Sequence, residues 1–151
     1  MAESSRQDKL DRNWQELLQD LRVAHTGVQI LTGFLLTLPF TPRFEELTES
    51  RHAVYAAVLC AAVAATFLLM TPVALHRALF HRHARPWLVE AAHQSSRWGL
   101  GTLALANIGA VWLILDVVTA PWIAFLVAAL IAVFVLVAWV VVPALEQRRE
   151  K

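Results

Sequence analysis

The sequence contains a single cysteine, Cys60, and little net charge. One cysteine cannot form an intrachain disulfide, so the cysteine count does not indicate a redox compartment. A net charge of +1 lacks the basic surplus that is typical of nucleic-acid-binding domains, so we expect no nucleic-acid partner. The first 22 residues are polar and include five acids, so we expect no cleaved signal peptide.

The sequence also lacks the residue patterns that are typical of enzymes and of cofactor sites. It contains no nucleophile elbow, no phosphate-binding loop, no paired carboxylates and no metal-ligand spacing. We therefore predict a protein that is not an enzyme, with no catalytic residues, no cofactor and no metal.

Long apolar segments are what the sequence does contain. Hydrophobic residues make up 58% of the chain, against about 45–50% in soluble domains. They concentrate at residues 23–40, 53–75, 98–118 and 122–142, each close to the roughly 20 residues that cross a bilayer core. In hydrocarbon each backbone N–H must be paired within its own segment, so each segment should be a helix. The sequence predicts an all-α integral membrane protein, one domain over residues 1–151 forming a four-transmembrane-helix bundle, with spans one to four in chain order.

Two stretches outside the spans also follow a helical pattern. In residues 1–22, Leu10, Trp14, Leu17 and Leu21 recur at helical spacing between polar residues. This pattern predicts an amphipathic N-terminal cytoplasmic helix, either continuous with span one or lying on the membrane surface. For residues 76–97 the sequence predicts a basic cytoplasmic loop that is followed, from residue 86, by a helical extension of span three.

The distribution of basic residues predicts the orientation. The two termini and the loop between spans two and three carry eleven of the thirteen Lys and Arg residues; the other side has only Arg43 and Arg51. Because Lys and Arg accumulate in cytoplasmic loops, we expect both termini to be cytoplasmic.

Span one is unusually polar along one face. Its members are Arg22, His25, Thr26, Gln29, Thr32 and Gly33. Polar groups are costly in hydrocarbon, so this face should meet the bundle interior, a partner subunit or water. One interpretation is an interhelical hydrogen-bond network. The other is a water-filled path, with His25 as a titratable relay and Arg22 as a gate or an anion contact.

Span three supplies the predicted partner of this face. Asn107 lies at a depth similar to that of Gln29 and Thr32, so we predict a contact between them. Small residues should permit close helix approach on two faces: Ala57, Ala61 and Ala65 on span two, and Gly99, Thr102, Ala106 and Gly109 on span three. Asp116, near the outer end of span three, is predicted to be an interfacial acid in water or a cation-attracting mouth.

A basic cluster follows span two. It comprises His76, Arg77, His81, Arg82, His83 and Arg85. We interpret it as a topology signal that also binds anionic phospholipid headgroups, at about 1 kcal/mol per basic residue. A metal site at His81 and His83 is the alternative, which the flanking arginines disfavour.

Two runs of the sequence resemble a known family. They are ELLQDLRVAHTGVQILTGFLLTLPF at residues 16–40 and PVALHRALF at residues 72–80, together with Arg43 and Phe44. They resemble an uncharacterised family of small four-span bacterial (actinobacterial-type) membrane proteins, often labelled sodium/proton antiporters. The resemblance implies a four-span fold in the bacterial plasma (inner) membrane. The antiporter label has no counterpart in the residues, since the only acid within a span, Asp116, lies near one end rather than at the midplane.

Two functional hypotheses follow. The first is a small channel or transporter for protons or small ions, acting as a homo-oligomer in which span one lines the path. The second is a non-catalytic accessory or scaffold protein that binds anionic lipid or a partner membrane protein through its N-terminal helix and basic loop.

Overall fold

The computed structural model describes residues 2–79 and 86–149, and these residues are almost entirely helical. The helices are α1 (Ala2–Thr37), α2 (Pro42–Glu45), α3 (Glu49–Leu79), α4 (Pro86–Val118), α5 (Pro121–Leu136) and α6 (Val142–Arg149). A 3₁₀ turn at Leu38–Phe40 separates α1 from α2, and a π-helical segment at Val137–Val141 joins α5 to α6. The described residues contain no β-strand.

Four helical segments are long and apolar enough to cross a membrane. They are Leu21–Phe40, Glu49–Leu75, Glu90–Val118 and Pro121–Glu146. The predicted all-α fold with four helices of membrane-spanning length is therefore confirmed. Because the number of long helices is even and each reverses the previous one, α1 begins at the end of the bundle at which the last long helix finishes.

The first helix is continuous from the N-terminal segment into span one. Its 36 residues correspond to a length of about 54 Å, well beyond a bilayer core of about 30 Å. Of the two predicted arrangements for residues 1–22, the structure has the unbroken helix. The predicted extension of span three is likewise part of one helix, since α4 runs unbroken from Pro86 to Val118.

Buried residues recur along the helices at heptad spacing. On α3 they lie at Tyr55, Val58, Ala62, Ala65, Leu69 and Pro72, alternately three and four residues apart. On α1, Leu21, Val28 and Leu35 are seven residues apart. This spacing keeps one seam of each helix facing its neighbour, as in left-handed coiled coils. The α3–α4 pair is the most extensive, with α1 packed mainly on α3, and α5 on α4.

Two glycines bring α4 close to α3. A Cβ atom added to Gly109 would lie 2.5 Å from Val58 Cγ2, and one added to Gly99 would lie 2.9 Å from Leu69 Cδ2. The predicted small-residue face of span three is therefore confirmed. The face predicted on span two differs from the packed face by about one residue. Ala65 is buried as predicted, but Ala57 is exposed, and Val58 and Ala62 are buried instead.

A side-chain hydrogen bond fixes the C-terminal end of α1. Pro39 has no N–H to donate to the carbonyl of Leu35, four residues earlier, so that acceptor is left free by the helix. The Tyr55 hydroxyl donates to it across 2.9 Å. The ring of Phe44 packs edge-on against Tyr55. The backbone carbonyl oxygen of Phe44 lies 3.0 Å from Nε2 of His52. The end of α1 and the following loop are thereby attached to the start of α3.

The close approach at Gly109 is testable. Gly109→Ala should destabilise the bundle by about 1–3 kcal/mol, because its methyl group would overlap Val58, whose χ1 is restricted in a helix. Gly101→Ala is a matched control on the same helix, since a Cβ there meets nothing within 4 Å. It should be neutral or stabilising by up to about 1 kcal/mol. The measurement is the thermal unfolding midpoint in detergent micelles.

Adding Val58→Ala to Gly109→Ala should recover part of the loss by removing the overlapping methyl groups. Equal midpoints for the Gly109 and Gly101 variants would contradict the close packing of α3 on α4.

Candidate functional site: the polar face of α1

Polar and small residues line the side of α1 that is not packed on the bundle. They are Gln19, Arg22, Thr26, Gln29 and Gly33, all exposed and successively three or four residues apart. We call this set the polar face. Its spacing is the same heptad spacing as the buried seam of α1, but it lies well over a quarter of a turn away from that seam.

The rotation of α1 explains why the polar face lies outside the bundle. The side of α1 next to α4 carries Phe34 and Leu38, which line a groove together with Leu113 and Ile114. Gln29 is nine residues before Leu38, which places it half a turn away around the helix. The polar face is therefore turned away from α4.

The predicted contact of Gln29 or Thr32 with Asn107 does not form as a hydrogen bond within the described chain. Asn107 is exposed and its Nδ2 donates to the carbonyl of Leu103, on its own helix, at 2.9 Å. Thr32 Oγ1 is buried and has no hydrogen-bond partner among the described residues. The sequence did not define the rotation of α1.

His25 and Thr32 lie at the boundary between the polar face and the packed seam. Both are half-buried, and Nδ1 of His25, like Oγ1 of Thr32, is buried without a hydrogen-bond partner in the described part of the chain. The hydroxyl of Thr26 is satisfied locally, because it donates to the carbonyl of Arg22 at 3.0 Å. The structure thus divides the predicted polar stripe: Arg22, Thr26, Gln29 and Gly33 lie outside, and His25 and Thr32 lie at the edge.

Asp116 differs most from its prediction. Its Oδ2 accepts a hydrogen bond from Nε of Arg51 at 2.7 Å, and its backbone carbonyl lies 3.3 Å from Nη2 of the same arginine. The Asp116 side chain is only 9% exposed and that of Arg51 is 31% exposed. Asp116 is therefore not a free acid in water but half of an ion pair that joins the end of α4 to the start of α3.

One signal in the sequence could have indicated this pair. Arg51 and Asp116 are opposite charges at the start of span two and the end of span three, which run in opposite directions. Antiparallel neighbours bring such ends together, although 65 residues separate the two in sequence.

The predicted basic cluster lies mostly beyond what the structure describes. The side chain of Arg77 is described and is exposed. The predictions for His76, His81, Arg82, His83 and Arg85 lie outside the described residues and side chains, and with them the alternative metal site. Within the described residues, no three His, Cys, Asp or Glu side chains are grouped so that they could hold a metal ion.

Four apolar helices with an exposed polar face on the first indicate a small helical-bundle membrane protein. Residues 3–143 match the family model DUF6328, described as a family of unknown function, and the chain belongs to that family. No curated protein and no solved structure matches the chain. An antiporter activity stays an implication of the sequence resemblance alone.

The Arg51–Asp116 pair can be tested by a double-mutant cycle. Asp116→Asn and Arg51→Gln should each lower stability by about 1–3 kcal/mol, since each leaves a partly buried charge without its charged partner. The double variant should lose less than the sum of the two. Arg43→Gln is the control: Arg43 pairs with Glu46 at 3.0 Å, but both side chains are mostly exposed, so its effect should stay below about 0.5 kcal/mol. Additive losses at Arg51 and Asp116 in thermal melts would contradict the pairing.

Proposed function

We propose that the protein is a small oligomeric channel or transporter for protons or small ions, in which the polar faces of several copies line the path. The observation that carries this proposal is the outward exposure of Arg22, Thr26, Gln29 and Gly33 along the membrane-crossing part of α1. The bacterial plasma membrane, with both termini cytoplasmic, is the proposed location. It is supported by the eleven basic residues on the side of the termini and by the sequence resemblance.

The cost of exposing polar groups to lipid supports an oligomer. An arginine at the centre of a membrane helix costs about 2.5–3.5 kcal/mol on insertion scales, and less near an interface, where Arg22 would lie. Interhelical hydrogen bonds between polar side chains recover about 0.6–2 kcal/mol each. A second α1 meets the geometric requirement, because the polar face has the spacing that left-handed helix pairs use.

The sizes of the side chains support a hydrated path rather than a dry seam. Thr26 and Gly33 flank Gln29 on the same face and leave space beside its amide. At the edge of this face, His25 Nδ1 and Thr32 Oγ1 have no hydrogen-bond partner in the described chain. Water would satisfy both, since buried polar groups without partners cost about 1–3 kcal/mol. An imidazole can also bind a proton at one ring nitrogen and release it from the other, which suits His25 to a relay.

A second candidate function is an accessory or scaffold protein that binds a partner membrane protein or anionic lipid. The length of α1 favours it, because this helix extends well past the thickness of a bilayer core at the end that carries both termini. In this case the polar face would be a docking surface and no ion would cross.

Ion flux separates the two candidates. Proteoliposomes containing the wild type should dissipate a proton or cation gradient, measured with a trapped pH-sensitive or cation-sensitive dye. Gln29→Leu should reduce this flux at least about tenfold, because it removes the polar group near the middle of the face. His25→Ala should reduce it specifically when protons are the ion.

The matched control for flux is Ile30→Leu, at the same depth as Gln29, apolar and 70% exposed. It should keep wild-type flux. Folded wild-type protein that passes neither protons nor small ions would exclude the channel and favour the scaffold.

Disulfide cross-linking tests the placement of α1 between copies. In a Cys60→Ser background, Thr26→Cys and Gly33→Cys should each give covalent dimers on mild oxidation in membranes. Phe34→Cys, one residue from Gly33 but on the side of α1 next to α4, should not. Equal cross-linking at positions 33 and 34 would contradict an arrangement in which the polar faces of neighbouring copies are turned toward one another.

A further inference from the structure

An apolar groove of about 220 Å³ opens between α1, α2 and α4 at the outer end of the bundle. Phe34 and Leu38 line it from α1, and Ile114 and Val118 line it from α4. Phe44 and Arg43 close it from the short helix α2. The groove lies on the opposite side of α1 from Gln29, so it does not belong to the polar face.

The packing of α1 explains why the groove exists. In the inner half, Leu21 and Val28 pack with Leu69 of α3, and Leu100 and Leu103 of α4 pack against this cluster. In the outer half, the hydrogen bond from Tyr55 to the Leu35 carbonyl attaches α1 to α3. The side that carries Phe34 and Leu38 therefore lies beside α4 without filling the space next to Ile114 and Val118.

One charged residue lines the polar edge of the groove, and its acidic partner lies beside it without itself lining the groove. Arg43 lines the groove, and its Nη1 lies 3.0 Å from Oε2 of Glu46, with both side chains mostly exposed. A purely anionic group near Arg43 would also meet the carboxylate of Glu46, which would repel it. A group that carries a phosphate and an ammonium would match both side chains, because opposite charges favour each other at each position.

We propose that this groove binds one acyl chain of a phospholipid with a zwitterionic, primary-amine headgroup. The phosphate lies beside Arg43 and donors of the ammonium lie beside Glu46, while the chain covers the apolar walls. Apolar burial supplies the affinity and the charged pair supplies the headgroup preference. The site is independent of ion conduction, since it uses the other side of α1.

Lipid exchange followed by native mass spectrometry tests this proposal. The purified protein in detergent would be titrated with phosphatidylethanolamine, phosphatidylglycerol and phosphatidylcholine of identical acyl chains. One phosphatidylethanolamine should bind in preference to the other two, since only it offers a phosphate and N–H donors together. Val118→Trp, at a 74% exposed position of the groove wall, should reduce its binding about tenfold, the effect of displacing roughly two methylene groups.

The matched control is Leu105→Trp. Leu105 is 68% exposed on α4, nine residues from Ile114 and thus half a turn away from the groove, so this variant should bind as the wild type does. If both tryptophan variants behave alike, the lipid is only annular and the site is refuted.

Headgroup variants complete the test and leave the apolar walls of the groove unchanged. Glu46→Gln should abolish the preference for phosphatidylethanolamine over phosphatidylglycerol, and Arg43→Gln should weaken binding of both by about fivefold. Equal binding of the three headgroups to the wild type, or a wild-type preference for phosphatidylglycerol or phosphatidylcholine, would overturn the proposal.

Discussion

The close approach of α3 and α4 is the constraint on which the rest of the structure depends. Gly99 and Gly109 leave room for side chains of α3, so the two helices pack along most of their length. In lipid, where the hydrophobic effect does not drive helices together, such van der Waals contact is a main source of association. The other two long helices add to this pair, α1 mainly on α3 and α5 on α4.

This tight central pair leaves no space for polar groups between its helices. Apart from Tyr55, the fully buried residues of α3 and α4 are small or apolar, and no charged residue is fully buried in the described part of the chain. Polar side chains within the spans therefore lie at the surface of the bundle or at its ends. The Arg51–Asp116 pair occupies an end, and the polar face of α1 occupies the surface. A functional role for α1 consequently depends on what surrounds a single copy.

The sequence predicted the helices better than their rotations. Length and hydropathy identified four long helices, and glycine spacing identified the packed face of α4. The predicted packing face of α3 was wrong by one residue. Alanine and valine are both small enough to pack between helices, so the spacing of the alanines alone does not identify the buried positions. The expected hydrogen bond of Gln29 or Thr32 with Asn107 is absent for a related reason, since Asn107 bonds to Leu103 on its own helix. Position in a span predicts depth, whereas the rotation of a helix depends on which neighbour packs against which side. The Tyr55–Leu35 bond could have been inferred from the free acceptor before Pro39, but not the identity of its donor.

Few residues of α5 are buried, and this affects which substitutions the helix can tolerate. Of its residues, only Ala124 and Ala128 are fully buried, while more than half of the others are exposed and would meet lipid. Substitution among apolar residues of any shape leaves those exposed positions equally well solvated, whereas a larger side chain at either alanine would push α5 away from α4. We therefore expect the exposed positions of this helix to vary freely among apolar residues in related proteins, and the two alanines to stay unchanged.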